Sequence, residues 1–174
     1  MDDRIQVWVG DITTLKIDAI VNAANRELAG GGGVDGAIHR AAGAEQLQAV
    51  CRHIGGCATG QAVLTPAFNL KAKAIIHTVG PVWQGGYQDE ASLLRSCYSE
   101  SMTLAVREGY RTIAFPAISC GVYGYPKDQA VAIAVEEVER CLDTYLMFKK
   151  VVFACFDHAM ADLYHTRLGD AQAT

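Results

Sequence analysis

The sequence predicts an α/β domain in which helices cover both faces of a largely parallel β-sheet. Short apolar runs typical of strands alternate along the chain with longer stretches typical of helices, which is the pattern of βαβ units. The crossover helices must bury an apolar stripe, so they lie against the faces of the sheet. The length of 174 residues, without a linker or an internal repeat, suits a single hydrophobic core. We therefore expect residues 1–174 to form one domain.

The predicted strands and helices follow from local hydrophobic patterns. The first strand alternates apolar and polar residues, which indicates one exposed face, and the second is wholly apolar, which indicates burial. The predicted strands are residues 5–9, 19–21, 62–64, 74–79, 112–115 and 151–156. The predicted helices are residues 34–42, 45–53, 90–108, 128–146 and 159–168. The small and polar residues 169–174 are expected to fray.

Composition and charge argue against several classes of protein. The chain is 51% apolar with a formal charge of −4, so it offers no basic surface for nucleic acid. No apolar run approaches the roughly 18 residues of a membrane span. Residues 1–4 lack the basic start of a signal peptide, so we expect a cytoplasmic protein. The six cysteines include no CxxC pair, and we expect neither a metal nor another cofactor.

A run of four glycines, residues 30–33, leads directly into a predicted helix. Glycines let a ligand approach the backbone, and a helix start presents unpaired N–H groups at the positive end of the helix dipole. The combination suits a bound phosphate. The run lacks the Gly-Lys-Ser/Thr ending of a P-loop. It also differs from a dehydrogenase fingerprint, because its glycines are contiguous and follow the second strand.

Asp35 lies in the first turn of that helix, where two interpretations compete. An acid at this position often only stabilises the helix dipole. Alternatively, Asp35 faces the ligand and orients or deprotonates a water molecule. His39 follows one turn later on the same face, where we expect it to pack or to form a hydrogen bond rather than to act chemically.

Two polar motifs follow the first two predicted strands. In residues 10–13, Asp11 can accept from an exocyclic amine while a nearby N–H donates to a ring nitrogen, which suits adenine; a turn or helix cap is the simpler interpretation. In residues 21–25, the Asn25 amide can donate and accept, so it can orient sugar hydroxyls, although asparagine is also common in turns. The nearby glycine run favours the ligand interpretation of Asn25.

A second anion-binding loop is predicted after the strand at residues 112–115. The consecutive backbone N–H groups of residues 119–123 suit a phosphate nest, and two such loops match one diphosphate. Tyr123 is positioned to cover a ribose, whereas Tyr125 is expected to pack. The neighbouring Ser119 and Cys120 have no base placed beside them by the sequence, so we do not expect a nucleophile here.

Together these motifs resemble the macrodomain family, in particular its MacroD-type branch with the bacterial O-acetyl-ADP-ribose deacetylases. The resemblance rests on five segments in this order: residues 10–13, 21–25, 30–43, 77–81 and 119–126. They span nearly the whole chain. The resemblance implies a three-layer α/β/α sandwich with a mixed, largely parallel sheet and an ADP-ribose cleft across its top.

The resemblance also implies ligand contacts for individual residues. Asp11 and the Ile12 backbone would hold adenine, with Phe156 close to it. Asn25 and Tyr123 would fix the distal ribose. The diphosphate would lie among Gly32, Gly33, Val34, Ser119, Cys120, Gly121 and Val122.

Asp35 matches the catalytic acid position of the family, so the implied reaction is hydrolysis of an ester at the distal ribose. The products would be ADP-ribose and either acetate from O-acetyl-ADP-ribose or an Asp or Glu side chain of a mono-ADP-ribosylated protein. A water held between Asp35 and a phosphate oxygen would attack the acyl carbonyl, without a metal. Cys120 departs from the family, where threonine is common. The change is mild if only the backbone of residue 120 meets phosphate; if the threonine hydroxyl donates a hydrogen bond, its loss costs about 1 kcal/mol of affinity.

Other functions use the same features. A reader would bind ADP-ribose without cleaving it and would not need Asp35, so the presence of Asp35 favours an enzyme. A regulatory module that meets RNA or protein is disfavoured by the acidic charge and by the lack of a basic, aromatic stripe. A poly-ADP-ribose glycohydrolase is disfavoured because no paired glutamates follow the glycine run. We expect a monomer with no membrane partner.

Overall fold

The computed structural model describes residues 2–169, which contain one six-stranded sheet and five α-helices. The strands are β1 (Ile5–Val9), β2 (Ala19–Ala23), β3 (Ala62–Pro66), β4 (Ala74–Thr78), β5 (Thr112–Phe115) and β6 (Lys150–Cys155). The helices are α1 (Gly33–Ala42), α2 (Ala44–Ile54), α3 (Glu90–Arg107), α4 (Lys127–Thr144) and α5 (His158–Leu168). Each predicted element is confirmed, with ends that shift by one or two residues. The predicted fraying of residues 170–174 lies outside the described residues.

The sheet is mixed and largely parallel, as the resemblance implies. Its strands lie in the order β1-β6-β5-β2-β4-β3, and each neighbouring pair is parallel except β3 and β4. The parallel pairs require crossover connections, which the helices provide. None of the helices in the described part of the chain combines the length and the hydropathy of a membrane span.

Neighbouring strand residues point into two hydrophobic cores on opposite faces of the sheet. Val21 and Phe153 pack with apolar side chains of α3, α4 and α5. Their neighbours Ile20 and Val152 pack with apolar side chains of α1 and α2. Because successive side chains of a strand point to opposite faces, this alternation gives three layers. The three-layer α/β/α prediction is therefore confirmed.

The connections that leave β2 and β5 create a crevice at the carboxyl end of the sheet. These strands are neighbours, but the chain leaves β2 through α1 and α2 towards β3, whereas it leaves β5 through α4 towards β6 on the opposite side. The loops that follow the two strands, residues 24–32 and 116–126, therefore diverge. A reversal of this kind is where open α/β sheets bind their ligands.

A cluster of aromatic rings anchors β5 and β6 beneath this crevice. The Phe153 ring stacks on Tyr164 of α5 with centroids 4.5 Å apart, and Phe115 lies 6.5 Å from Phe153 and 4.9 Å from Tyr98 of α3. All four side chains are buried. The cluster joins both strands to two helices of the same layer.

We expect Phe153→Ala to lower the free energy of unfolding by about 3–5 kcal/mol, because it leaves a cavity between packed rings. Phe156→Ala is the matched control, since Phe156 lies just beyond the same strand and is 96% exposed. Its expected effect is below about 0.5 kcal/mol. Urea denaturation of the two variants and the wild type measures both values. Equal losses in the two variants would contradict this description of the core.

Candidate functional site

The residues predicted to hold adenine lie in two neighbouring segments, which follow β1 and β6 at the same edge of the sheet. β1 and β6 are neighbours, and the Gly10 N–H that follows β1 donates to the Cys155 carbonyl at 3.1 Å. Asp11 and Phe156 come next in each segment. Asp11 and Phe156 are far apart along the chain, but the pairing of β1 with β6 brings both residues to one end of the crevice.

Asp11 caps a short helical turn and still has an unused oxygen. Its Oδ1 accepts from the Thr13 N–H at 2.9 Å and from the Thr13 hydroxyl at 2.7 Å, which is the cap that the sequence offered as the simpler interpretation. Within residues 2–169 its Oδ2 accepts no hydrogen bond, and the N–H of Ile12 donates none. Capping and ligand binding are compatible here, because they use different atoms.

The glycine run folds against the first turn of α1. Gly32 precedes the helix without a side-chain cap, so the N–H groups of residues 33–35 have no acceptor within residues 2–169. A Cβ at Gly36 would overlap the Gly31 carbonyl, so this close approach requires glycine. The result is a set of free donors at the positive end of a helix dipole.

The loop after β5 presents a second set of donors, with one difference from the prediction. The Cys120 N–H donates to the Ala117 carbonyl at 3.2 Å, so it does not point freely into a nest. The prediction that all N–H groups of residues 119–123 are available was wrong at this position, because the loop closes a tight turn there. Residue 119 and residues 121–123 keep N–H groups without an acceptor within residues 2–169.

The loop after β5 is supported from below by the loop after β4. Ser119 adopts a left-handed conformation with φ of 67°, and its hydroxyl donates to the Pro81 carbonyl at 2.8 Å. The Trp83 N–H donates to the Tyr123 carbonyl at 2.8 Å, and the Trp83 ring lies 4.7 Å from that of Tyr125. Tyr125 is buried, as predicted. These contacts hold Tyr123 at the rim of the crevice.

The supporting loop is itself organised by the buried carboxylate of Glu90. It accepts from the backbone N–H groups of Gln84, Gly86 and Gln88 at 2.8, 3.0 and 2.6 Å. Burial alone would raise the pKa of Glu90, but these donors outweigh it and lower the pKa to about 2. A single ionised side chain therefore shapes the loop.

Asp35 is 6% exposed, and hydrogen bonds fix one of its two carboxylate oxygens. Oδ1 accepts from Asn22 Nδ2 at 2.8 Å and lies 3.1 Å from His39 Nδ1, which is also 3.0 Å from the Asp35 carbonyl. His39 is therefore hydrogen-bonded, as predicted. These contacts give the buried Asp35 carboxylate a defined orientation.

The second oxygen of Asp35 faces the glycine run. Oδ2 makes no hydrogen bond within residues 2–169, yet it is not among the unpartnered atoms that are fully buried there. A Cβ placed on Gly31 would lie 3.6 Å from Asp35 Oδ2 and 3.9 Å from Asn25 Nδ2. Asp35 Oδ2 and the Asn25 amide are thus neighbours beside the free N–H groups of α1.

The half-buried Asn25 first serves to close the loop that carries the glycines. Its Nδ2 donates to the Gly30 carbonyl at 2.9 Å, and its Oδ1 accepts from the Ala29 N–H at 2.9 Å. This is the turn role that the sequence offered as the alternative. The amide keeps a second N–H and a second lone pair, which suit a sugar hydroxyl.

The rim of the crevice carries exposed apolar side chains. Val122 is 100% exposed, and Phe156 is nearly as exposed at the end of the crevice where adenine is predicted to bind.

Burial raises the pKa of the Cys120 thiol to about 11, so the thiol stays protonated at neutral pH. Residues 2–169 contain no group of three or more His, Cys, Asp or Glu side chains arranged for a metal ion.

Residues outside the predicted set take part in this geometry. Asn22, His77 and Thr65 form a buried polar chain behind Asp35, and Glu90 holds the loop that supports Tyr123. The motifs quoted above contain Asn22 and His77 without assigning them a role. The available signal was a polar side chain within a strand whose other residues are apolar, because such a side chain needs a partner when buried.

Comparisons with known proteins agree with one another. The family model described as Macro domain matches residues 21–134. A Macro domain-containing protein of Mesorhizobium japonicum is 57% identical over 93% of this chain and 92% of its own length. The O-acetyl-ADP-ribose deacetylase of Salmonella newport is 54% identical over 99% of this chain and 100% of its own length. A crystal structure of a Trypanosoma brucei macrodomain in complex with ADP-ribose is 41% identical, with a TM-score of 0.89 over 95% of this chain and 69% of that one.

The Glu90 carboxylate predicts a pH dependence of stability. Its pKa of about 2 in the folded protein lies below the ordinary 4.5, so it stabilises the fold above pH 4.5 and this contribution is lost as the pH falls towards 2. Glu90→Gln imitates the protonated side chain. We expect the wild type to be more stable than Glu90→Gln at neutral pH, and the difference to shrink on acidification. Urea denaturation between about pH 7 and pH 3 measures it; a difference that does not change with pH would contradict this role.

Proposed function

This chain belongs to the Macro domain family, and on that basis we propose that it binds ADP-ribose and hydrolyses esters at the distal ribose. The observation that carries the proposal is the free Oδ2 of the oriented Asp35 carboxylate, beside the unpaired N–H groups at the start of α1. A relative that is 54% identical and named O-acetyl-ADP-ribose deacetylase supports this reaction class.

Backbone groups would bind most of the nucleotide. The free N–H groups of Gly33 and Val34 would meet one side of the diphosphate, and those of Gly121 and Val122 the other. Asp11 Oδ2 would accept from the adenine amine, while the Ile12 N–H donates to a ring nitrogen. Ligand binding would also cover the exposed Phe156, which removes apolar surface from water.

The chemistry would take place between Asp35 and the diphosphate. The second N–H of Asn25 and the Tyr123 ring would hold the distal ribose, so that its ester faces Asp35 Oδ2. A water bound by Oδ2 and a phosphate oxygen would attack the acyl carbonyl. Its proton would pass to Asp35 or to the phosphate, the acyl–oxygen bond would break, and the ribose oxygen would leave with a proton. The products would be ADP-ribose and a carboxylic acid.

Two substrates present this bond in the same way. O-acetyl-ADP-ribose would release acetate, and a mono-ADP-ribosylated protein would release an Asp or Glu side chain. Both carry the nucleotide that the crevice would recognise, and both are esters of the distal ribose. We therefore include both among the substrates of this site.

The test is turnover of O-acetyl-ADP-ribose and of a protein mono-ADP-ribosylated on Asp or Glu. Loss of the carboxylate that holds the water should lower kcat of Asp35→Ala by at least about 100-fold, while ADP-ribose still binds. Asp162→Asn, at an exposed aspartate on α5, is the control and should match the wild type. Product release measures turnover, and calorimetry measures binding.

Three other outcomes would contradict parts of the proposal. A wild type that binds ADP-ribose and cleaves neither ester is a reader. A wild type that does not bind the nucleotide has a different ligand. Full activity in Asp35→Ala would remove Asp35 from the mechanism.

We also propose that the chain acts as a monomer. The large apolar side chains that are exposed within residues 2–169 lie on separate loops and helix ends, not on one helix or sheet face: Ile54, Phe68, Val82, Tyr87, Val122, Leu146 and Phe156. A stable dimer usually buries a contiguous apolar patch. Light scattering coupled to size-exclusion chromatography should give the mass of one chain, and a dimer that persists on dilution would overturn this prediction.

A further inference from the structure

A chain of buried polar side chains runs from Asp35 into the sheet. Asn22 Nδ2 lies 2.8 Å from Asp35 Oδ1 and 3.0 Å from His77 Nδ1, and His77 Nε2 lies 2.9 Å from the Thr65 hydroxyl. The Thr65 hydroxyl donates to the Pro66 carbonyl at 3.1 Å. Asn22 and His77 are direct partners in the register of β2 and β4, so the sheet itself brings them together.

With Asn22 Nδ2 between Asp35 and His77, one arrangement of hydrogens satisfies this chain. The Asn22 Nδ2 group can only donate, so its two hydrogens go to Asp35 Oδ1 and to His77 Nδ1. His77 Nδ1 therefore accepts, and the ring carries its proton on Nε2. The Thr65 hydroxyl accepts a hydrogen bond from the His77 Nε2–H and donates its own hydrogen to the Pro66 carbonyl.

The environment of His77 agrees with this tautomer. The side chain is fully buried in β4, and burial, together with the nearby His39, lowers the pKa of His77 to about 4. The ring is therefore neutral at neutral pH, as an accepting Nδ1 requires. Because the chain ends on a backbone carbonyl, it cannot pass a proton on to solvent. It is a fixed support and not a relay.

Asn22 serves this chain as a donor and not as an acceptor. Its Oδ1 is one of the buried polar atoms that have no hydrogen-bond partner within residues 2–169. A leucine of similar volume at this position would leave Asp35 Oδ1 and His77 Nδ1 without this donor, and unpaired buried groups are unfavourable. What asparagine supplies that an apolar residue cannot is a pair of N–H donors, one directed at Asp35.

We propose that Asn22, His77 and Thr65 are positioning residues that hold Asp35 Oδ1, so that Oδ2 faces the glycine run and the substrate. This inference rests on the ester hydrolysis proposed above. The three residues are buried below the crevice, out of reach of a ligand bound in it, so their effect reaches the reaction through Asp35. They should act on the rate of the chemical step and not on recognition of the nucleotide.

The sharpest test compares Thr65→Val with Thr65→Ser. Valine removes the acceptor of the His77 Nε2–H, so the proton can move to Nδ1, where it opposes the Asn22 amide and displaces it from Asp35. Serine keeps the hydroxyl. We expect Thr65→Val to lower kcat for O-acetyl-ADP-ribose about 3- to 10-fold, while KM and the Kd for ADP-ribose change less than about twofold. Thr65→Ser should stay within about twofold of the wild type in all three.

Asn22→Ala removes the donor itself and should lower kcat at least about tenfold, again with little change in the Kd for ADP-ribose. If Asn22→Ala does not fold, the comparison of Thr65→Val with Thr65→Ser still tests the proposal. A folded Asn22→Ala or Thr65→Val with wild-type kcat would overturn the proposal. So would losses of kcat and ADP-ribose affinity in parallel, because they would indicate a general loosening of the fold.

A spectroscopic measurement tests the same chain without turnover. In the wild type labelled with ¹⁵N-histidine, His77 should show a protonated Nε2 and an unprotonated Nδ1 at neutral pH, and Thr65→Val should alter this pattern. A proton on Nδ1 in the wild type would overturn the proposal. If the wild type cleaves neither ester, the proposed function fails and the positioning role falls with it; if the wild type is active and the variants match it, only the positioning role fails.

Discussion

A buried carboxylate needs fixed hydrogen-bond donors, and the structure around Asp35 is built to supply them. Asp35 lies in the first turn of α1, with Asn22 of β2 on one side and His39 of the same helix on the other. Asn22 is in turn held through His77 of β4 and Thr65 of β3. The orientation of Asp35 Oδ1 therefore depends on the register of β2, β4 and β3 and on the packing of α1 against the sheet.

The second constraint is that the proposed anion site consists of backbone N–H groups. Neither loop of the crevice relies on a lysine or arginine: the start of α1 and residues 121–123 present unpaired N–H groups. Such donors stay in place without side-chain entropy cost, and a helix dipole strengthens one set. Backbone donors of this kind would let a chain with a formal charge of −4 bind the phosphates of the proposed ligand. Glu90 and Ser119 serve the same end, because they fix the loops that present the donors.

Local signals in the sequence were enough for the strands, the helices and the glycine run, because hydrophobic period and glycine content act over short distances. They also placed Asp35 in the first turn of a helix. The chain behind Asp35 was not predictable, because it depends on the pairing of Asn22 with His77 across residues that are distant in sequence. The capture of the Cys120 N–H by a tight turn was missed for a similar reason, since composition does not define loop geometry. Polar residues inside apolar strands mark where such longer-range contacts should be sought.

Hydrolysis of O-acetyl-ADP-ribose in water enriched in ¹⁸O tests most directly whether water attacks the acyl carbonyl, as the mechanism at Asp35 requires. Attack at that carbon places the label in acetate, and mass spectrometry should find acetate with one ¹⁸O. Unlabelled acetate would mean that the water attacks a sugar carbon instead, because the acetyl group would then leave with both of its original oxygens. That result would contradict the proposed mechanism.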